Sequence, residues 1–183
     1  MAEINFINAL NCRFNFIQNM VKTLKGNTIV LFDRVEDYGI PLYEDMKAKH
    51  EHTYIICGDV GDKEREEIKA LFDKYDDVIL YATFSIMSTG VSIKNLHNMV
   101  FASSSKAKIR VLQSIGRLMR LHNSKSVATL YDLVDKIDYN GYQNATFRHV
   151  EERIKFYANE KFKVSFMNLK LKEHDNETVR VFS

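Results

Sequence analysis

The sequence predicts an α/β domain whose parallel β-sheet has helices on both faces. Short runs of consecutive apolar residues recur along the chain, and such runs are typical of strands buried on both faces of a parallel sheet. Segments with an apolar residue at every third or fourth position separate these runs, and this spacing is typical of crossover helices. The chain has 183 residues, 45% of them hydrophobic, so it is long enough to enclose a core of its own.

The predicted elements alternate between helix and strand through most of the chain. In order they are a helix at 13–25 that ends before Gly26, a strand at 28–32, a helix from Pro41, a strand at 52–57 that ends before Gly58, a helix capped by Asp62, and strands at 78–82, 98–102 and 127–131. After Asp135 the sequence becomes polar, and a helix at 147–162 precedes a frayed tail from Glu173. We therefore predict a domain at 1–135 and a helical extension with a tail at 136–183.

The segment 111–120 gives the strongest functional signal. On a helix its apolar residues share one side, whereas Gln113, Arg117 and Arg120, spaced i, i+4 and i+7, share the opposite side. Arginine offers a planar fork of donors that matches phosphate oxygens. Two such forks one turn apart would stabilise the charge that develops in phosphoryl transfer. The alternative interpretation is an ordinary amphipathic helix with an exposed arginine pair.

A hydroxyl-rich segment follows the predicted strand at 78–82. It contains Thr83, Thr89, Gly90 and Ser92. In parallel sheets, ligands bind beyond the carboxyl ends of the strands, so these hydroxyls and the glycine backbone lie where phosphate would approach. The alternative interpretation is a simple turn rich in Ser and Thr.

The pattern Q-x-x-G-R-x-x-R at 113–120 resembles motif VI of the superfamily 2 helicases, in the second of their RecA-like motor domains. The stretch Ser104–Asp135 is similar in particular to phage helicases of recombination and repair. Thr89–Ser92 resembles motif V of this family, although many relatives have an acid where Ser92 stands. The resemblance implies that residues 1–135 form a RecA-like motor domain.

The same resemblance implies roles for individual residues. Arg117 and Arg120 would be catalytic, and Gln113, Gly90 and Ser92 would bind ATP. The residues implied in nucleic-acid binding are Gly58, Arg65, Thr83, Thr89, Lys106 and Lys108. Lys106 and Lys108 belong to the densest basic cluster in the sequence, which would contact the nucleic-acid backbone without reading sequence or would serve as a solubilising surface. For Arg65 the alternative is a solvated helix with internal i,i+4 ion pairs.

Two motifs of an ATP-hydrolysing motor are missing from the sequence. It contains neither G-x-x-x-x-G-K-[ST] nor D-E-x-[DH], and phosphoryl transfer needs the phosphate cradle, the metal and the arginines together. We therefore expect the isolated chain to be inactive. The resemblance implies that a first RecA-like domain, in cis or in trans, binds most of ATP and Mg²⁺. This chain would be one half of a motor, from a longer or a split protein.

The resemblance implies ATP-dependent unwinding, branch migration and annealing of branched or single-stranded DNA. Two alternatives stay open: a nucleic-acid-binding or annealing module without catalysis, and a structural or regulatory pseudo-motor. The net charge is only +2, so nucleic-acid binding would use a local patch. The cysteines and histidines have no metal-ligand spacing, no apolar run approaches the ~20 residues that span a bilayer, and no signal peptide is recognisable. We expect no metal site and a cytoplasmic protein, in the host cytoplasm if phage-encoded.

Overall fold

The computed structural model describes residues 2–58, 61–88, 93, 95–103, 112, 128–139, 141–172 and 181–182. Its helices and strands are, in chain order, α1 (Ala2–Ala9), α2 (Asn11–Thr23), β1 (Thr28–Phe32), a π-helical turn (Val35–Gly39), α3 (Ile40–Lys47), β2 (Thr53–Ile56), α4 (Asp62–Lys74), β3 (Ile79–Thr83), α5 (Phe84–Ser88), β4 (Asn98–Phe101), β5 (Thr129–Asp132), β6 (Asp138–Tyr139), β7 (Tyr142–Gln143), α6 (Ala145–Arg148), α7 (Val150–Asn159), β8 (Asn168–Leu169) and β9 (Val181–Phe182). The chain forms two compact units, Met20–Leu133 and Met1–Asn19 with Val134–Ser183. The domain division at Asp135 stays a prediction.

The unit Met20–Leu133 is built on a parallel sheet of five strands in the order β2-β3-β1-β4-β5. The predicted α/β class is therefore confirmed. Every residue of β1, β3 and β4 is buried, as expected for the central strands of a parallel sheet. The predicted strand at 28–32 coincides with β1, and the other predicted strands differ from the observed ones by one or two residues at their ends.

The π-helical turn after β1 depends on a close approach between Gly39 and Phe32. A Cβ atom at Gly39 would lie 2.1 Å from Cε2 of the Phe32 ring, so only glycine fits. The Tyr38 hydroxyl of the same turn donates to the carbonyl of Ala102, just beyond β4, at 3.3 Å. The turn therefore fixes the path of the chain from β1 into α3.

A buried amide closes the amino edge of the sheet. The Asn27 side chain, fully buried, donates to the carbonyls of Phe72 at 3.1 Å and Asn95 at 2.9 Å, and it accepts from the N–H of Val78 at 2.9 Å. Asn98 similarly donates to the Lys25 carbonyl at 2.9 Å. These bonds tie the end of α4 to the first residues of the central strands.

Several predictions for the helices are wrong in detail. Asp62 is the first residue of α4 and not its cap, because Gly61 precedes it in an extended conformation and its N–H donates to the Glu64 carboxylate at 2.9 Å. The helix predicted at 147–162 is two helices, α6 and α7, and α1 was not predicted. The prediction of a frayed tail from Glu173 is wrong at the end of the chain, where β9 pairs antiparallel with β8.

The unit Met1–Asn19 with Val134–Ser183 is held by contacts between residues far apart in sequence. The Glu3 carboxylate accepts from the N–H groups of Ala145 at 2.8 Å and Thr146 at 2.9 Å, so it caps the start of α6. Arg13 is buried and pairs with Asp135, with 2.6 Å between Nε and Oδ1. A helix N-terminus and a buried charge are thus satisfied within this unit.

Candidate functional site

Hydroxyl side chains lie at the carboxyl edge of the sheet, where β3 ends. Thr83 is the last residue of β3, and α5 begins at the next residue. Its Oγ1 lies 2.8 Å from Oγ of Ser85, within hydrogen-bond distance. In parallel sheets this edge is where ligands bind. Thr83 therefore lies at the predicted edge of the sheet, and its contact with a ligand stays a prediction.

Strands β1 and β4, which follow β3 in the order of the sheet, bring further polar groups to the same edge. Asp33 directly follows β1 and Ser103 lies two residues beyond β4, and the Asp33 N–H donates to Oγ of Ser103 at 3.4 Å. Phe32 pairs with Thr83 in the β1–β3 register, so Asp33 and Thr83 extend from neighbouring strand ends. Sequence analysis missed Asp33 and Ser103, although a polar residue just after a buried strand is the signal that pointed to Thr83.

Gly58 lies at the same edge, beyond the neighbouring strand β2. Ile56 pairs with Ala82 in the β2–β3 register, so Gly58 and Thr83 both follow the last paired residues of adjacent strands. Gly58 has φ +89°, a left-handed conformation that favours glycine, and no heavy atom lies within 4 Å of a Cβ built there. A ligand can therefore approach the backbone closely at this position.

Arg65 lies in the second turn of α4, the helix that follows β2. Its side chain is half-buried. The same helix carries two ion pairs between exposed residues, Lys63 with Glu67 at 3.8 Å and Lys69 with Glu66 at 2.6 Å. These pairs fit the alternative of a solvated helix with internal ion pairs. The half-buried Arg65 is less exposed to solvent than Lys63, Glu66 and Glu67.

Most of the predicted site residues lie outside the described part of the chain. They are Thr89, Gly90, Ser92, Lys106, Lys108, Gln113, Arg117 and Arg120. Their roles stay predictions. Leu112, on the predicted apolar side of the arginine-bearing helix, is described and is 1% exposed. The burial predicted for that side is confirmed at this one residue.

Two side chains of the sheet unit, Cys57 and Tyr81, have a raised pKa. Partial burial and the nearby Glu36 carboxylate raise the pKa of the Cys57 thiol, so it stays protonated and is a poor nucleophile. Burial also raises the pKa of Tyr81, which stays neutral. Among the described residues, no group of three or more His, Cys, Asp or Glu is placed to hold a metal ion. None of the described helices is long and apolar enough to span a bilayer.

Comparison with known proteins connects this arrangement to one family. The family model described as helicase conserved C-terminal domain matches residues 12–122. The ATP-dependent DNA helicase uvsW of Enterobacteria phage T4 is 34% identical over 173 residues, which are 87% of this chain and 34% of that protein. The chain thus spans about a third of the length of this relative.

Solved structures agree with the sequence comparison. The crystal structure of T4 UvsW superposes with a TM-score of 0.71 at 33% identity, over 88% of this chain and 35% of that chain. The C-terminal domain of the DEAD-box protein Dbp5 gives a TM-score of 0.54 at 17% identity, over 81% of this chain and 79% of that one. The second likeness shows the fold alone, which is the RecA-like fold that the sequence pattern implied.

Proposed function

The chain belongs to the family of helicase conserved C-terminal domains, and on that premise we propose that it is the second motor domain of an ATP-dependent DNA helicase. The full protein would unwind, branch-migrate and anneal branched DNA. The observation that carries the proposal is 34% identity to a phage DNA helicase across 87% of this chain. The hydroxyl-lined carboxyl edge at Thr83 supports it, because that edge is where a parallel sheet meets its ligands.

For the nucleotide, we propose that Arg117 and Arg120 act as arginine fingers. Their guanidinium groups would donate to the γ-phosphate oxygens of ATP and stabilise the charge that develops as the phosphoryl group leaves. Gln113 would orient that phosphate, and Gly90 and Ser92 would contact ATP from the adjacent loop. Mg²⁺ neutralises phosphate charge when bound. We assign it and most phosphate contacts to the first motor domain, because this sequence lacks the motifs that hold them.

For the nucleic acid, we propose a strand that runs along the carboxyl edge of β2 and β3. Gly58, open to close approach, and Thr83 would contact its backbone. Arg65, Thr89, Lys106 and Lys108 would supply further contacts to phosphate, which are independent of base sequence. ATP binding would draw the two motor domains together, and hydrolysis would let them separate again, so that the cycle moves the strand. We place this activity in the cytoplasm of the host cell.

The test is a chimera in which the preceding two-thirds of the phage T4 relative are joined to this chain. We expect ATPase activity stimulated by single-stranded DNA. Arg120→Ala should lower kcat about 10³-fold or more, the scale of an arginine finger. Arg120→Lys should rescue little, because an ammonium group cannot reproduce the fork.

Two matched controls make the result specific. Arg148→Ala removes an exposed guanidinium on α6 and should leave kcat unchanged. Leu112→Ala truncates a buried side chain and should lower stability by about 2–5 kcal/mol while the folded fraction keeps its rate. If Arg120→Ala destabilises the chimera as Leu112→Ala does and the folded fraction hydrolyses ATP normally, the arginine is structural. A chimera that binds DNA without ATPase activity would favour the non-catalytic annealing module.

A further inference from the structure

The segment 161–172, which follows α7, exposes large apolar side chains to solvent. Phe166 is 72% exposed, Met167 66% and Val164 43%. Among the described residues, Phe6 at 55% is the one other large apolar side chain in this exposed class. Three such side chains within four positions form a local feature, and we call residues 161–172 the exposed strip.

All charged residues of the exposed strip are basic. Its four lysines, Lys161, Lys163, Lys170 and Lys172, are all exposed, and no acidic residue occurs between 161 and 172. Within the part of the chain that the structure describes, none of the four forms an ion pair with a carboxylate. Their charge is therefore not neutralised by a neighbouring described group.

The start of the exposed strip is fixed to α7 by a Schellman motif. The Phe162 N–H donates to the Tyr157 carbonyl at 2.9 Å, and the Lys161 N–H donates to the Ala158 carbonyl at 3.1 Å. The rings of Phe162 and the buried Tyr157 lie 6.2 Å apart between centroids. Lys161 has φ 58°, a left-handed conformation that helices usually give to glycine at this position. The chain thus has a charged lysine at a position where the left-handed backbone costs free energy for any residue except glycine.

The far end of the exposed strip has the alternation of a strand. Asn168, Lys170 and Lys172 are exposed, whereas Leu169 and Leu171 between them are half-buried. Because side chains alternate along an extended chain, both lysines share one side. The two exposed apolar residues, Phe166 and Met167, come directly before this run.

We propose that the exposed strip binds single-stranded nucleic acid. Phe166 would stack on a base, and Lys170 and Lys172 would contact phosphates. Aromatic platforms joined to positive charge are the common design of sequence-independent single-strand binding. A protein partner fits less well, because lysine is depleted from protein–protein interfaces and four lysines surround these apolar side chains. This proposal rests on the proposed function only for the kind of ligand, which is nucleic acid. It uses none of the residues to which the proposed function gives a role.

The test measures binding of a fluorescent oligothymidylate to the full 183-residue chain by anisotropy over a range of salt concentrations. Phe166→Ala should weaken binding about 5- to 150-fold, the loss of one stacked base, and leave the salt dependence unchanged. Lys170→Gln/Lys172→Gln should lower the slope of log K against log salt by about 1.4, since each phosphate contact on a single strand contributes about 0.7.

The chain offers a control for each variant. Phe6→Ala removes another exposed aromatic ring from the same compact unit, and Lys22→Gln/Lys25→Gln removes two exposed lysines from the sheet unit. The proposal is overturned if Phe166→Ala binds as Phe6→Ala does and the two lysine variants share one salt slope. It is also overturned if Phe166→Ala changes only the sedimentation of the chain, because the occupant is then a second copy. Neither failure affects the arginine test of the motor in the chimera.

Discussion

Replacing Asn27 by alanine should destabilise the sheet unit strongly. The buried Asn27 amide accepts from the Val78 N–H and donates to the carbonyls of Phe72 and Asn95. Val78 is buried, so water cannot reach its N–H. Without the Asn27 side chain, no other described side chain accepts from this N–H. An unsatisfied buried donor costs about 1–3 kcal/mol, and loss of the bond to the part-buried Asn95 carbonyl adds about 0.5–1.5 kcal/mol.

Loss of the third bond, from Asn27 to the Phe72 carbonyl, should not lower stability further, because this carbonyl has a second donor. Asn95 Nδ2 donates to it at 3.1 Å, the same distance as Asn27 Nδ2. The expected total for Asn27→Ala is therefore about 1.5–4.5 kcal/mol. Asn95→Ala alone should cost under about 1 kcal/mol, because Asn27 still satisfies Phe72. The double variant should exceed the sum by about 1 kcal/mol or more, because the carbonyl at the end of α4 then has neither donor.

Urea unfolding followed by far-UV circular dichroism measures these differences. With a slope of about 2 kcal/mol/M, Asn27→Ala should lower the midpoint by about 0.8–2.2 M. Asn19→Ala, at an exposed position of α2, is the control and should change stability by no more than about 0.5 kcal/mol. The reasoning is refuted if Asn27→Ala matches this control, or if the Asn27 and Asn95 effects add within about 0.3–0.5 kcal/mol.

Three further predictions follow from the site, the helix cap and the exposed strip. Thr83→Val in the chimera should weaken DNA binding about 10- to 150-fold, because a hydrogen bond to a charged phosphate is worth about 1.5–3 kcal/mol. Thr129→Val, at the exposed start of β5, should leave it unchanged. Burial raises the pKa of Glu3, but the hydrogen bonds from Thr146 and Ala145 lower it more, to below its ordinary value of 4.5. The stability lost in Glu3→Gln should therefore be measurable at pH 7 and shrink as the pH falls through that lowered pKa; a loss that is constant with pH would contradict this account. Lys161→Gly should raise the urea midpoint, because glycine relieves the left-handed φ by up to about 1 kcal/mol; a fall in stability would show that the position is not strained.

The sequence predicted those helices and strands whose signals lie within the element or in the residues next to it. The strand β1 was predicted to the residue, because its run of consecutive apolar residues directly follows the stop signal Gly26-Asn27. The start of α6 at Ala145 was missed because its cap comes from Glu3, 142 residues earlier in sequence. The π-helical turn depends on the Phe32 ring lying against Gly39. Contacts of this kind exist only after the chain has folded.

The candidate site shows the same limit. Thr83 was predicted because a polar residue ends a buried strand, and that rule also applies to Asp33 after β1. What the sequence does not contain is the strand order, which puts β1 between β3 and β4 and so brings Asp33, Thr83 and Ser103 to adjacent strand ends. The neighbours of a candidate residue therefore follow from the topology of the sheet.

The two edges of the sheet differ in how firmly their polar side chains are held. At the amino edge, the amide of Asn27 bonds three backbone groups at 2.9–3.1 Å, and without it the buried N–H of Val78 is left unsatisfied. At the carboxyl edge, Thr83 bonds the hydroxyl of its neighbour Ser85, and the Asp33 N–H reaches Ser103 at 3.4 Å, near the limit for a hydrogen bond. Exchanging such bonds for phosphate contacts removes little that holds the fold together. Asn27→Ala should therefore lower stability without changing the rate of the folded chimera, and Thr83→Val should weaken binding without unfolding it.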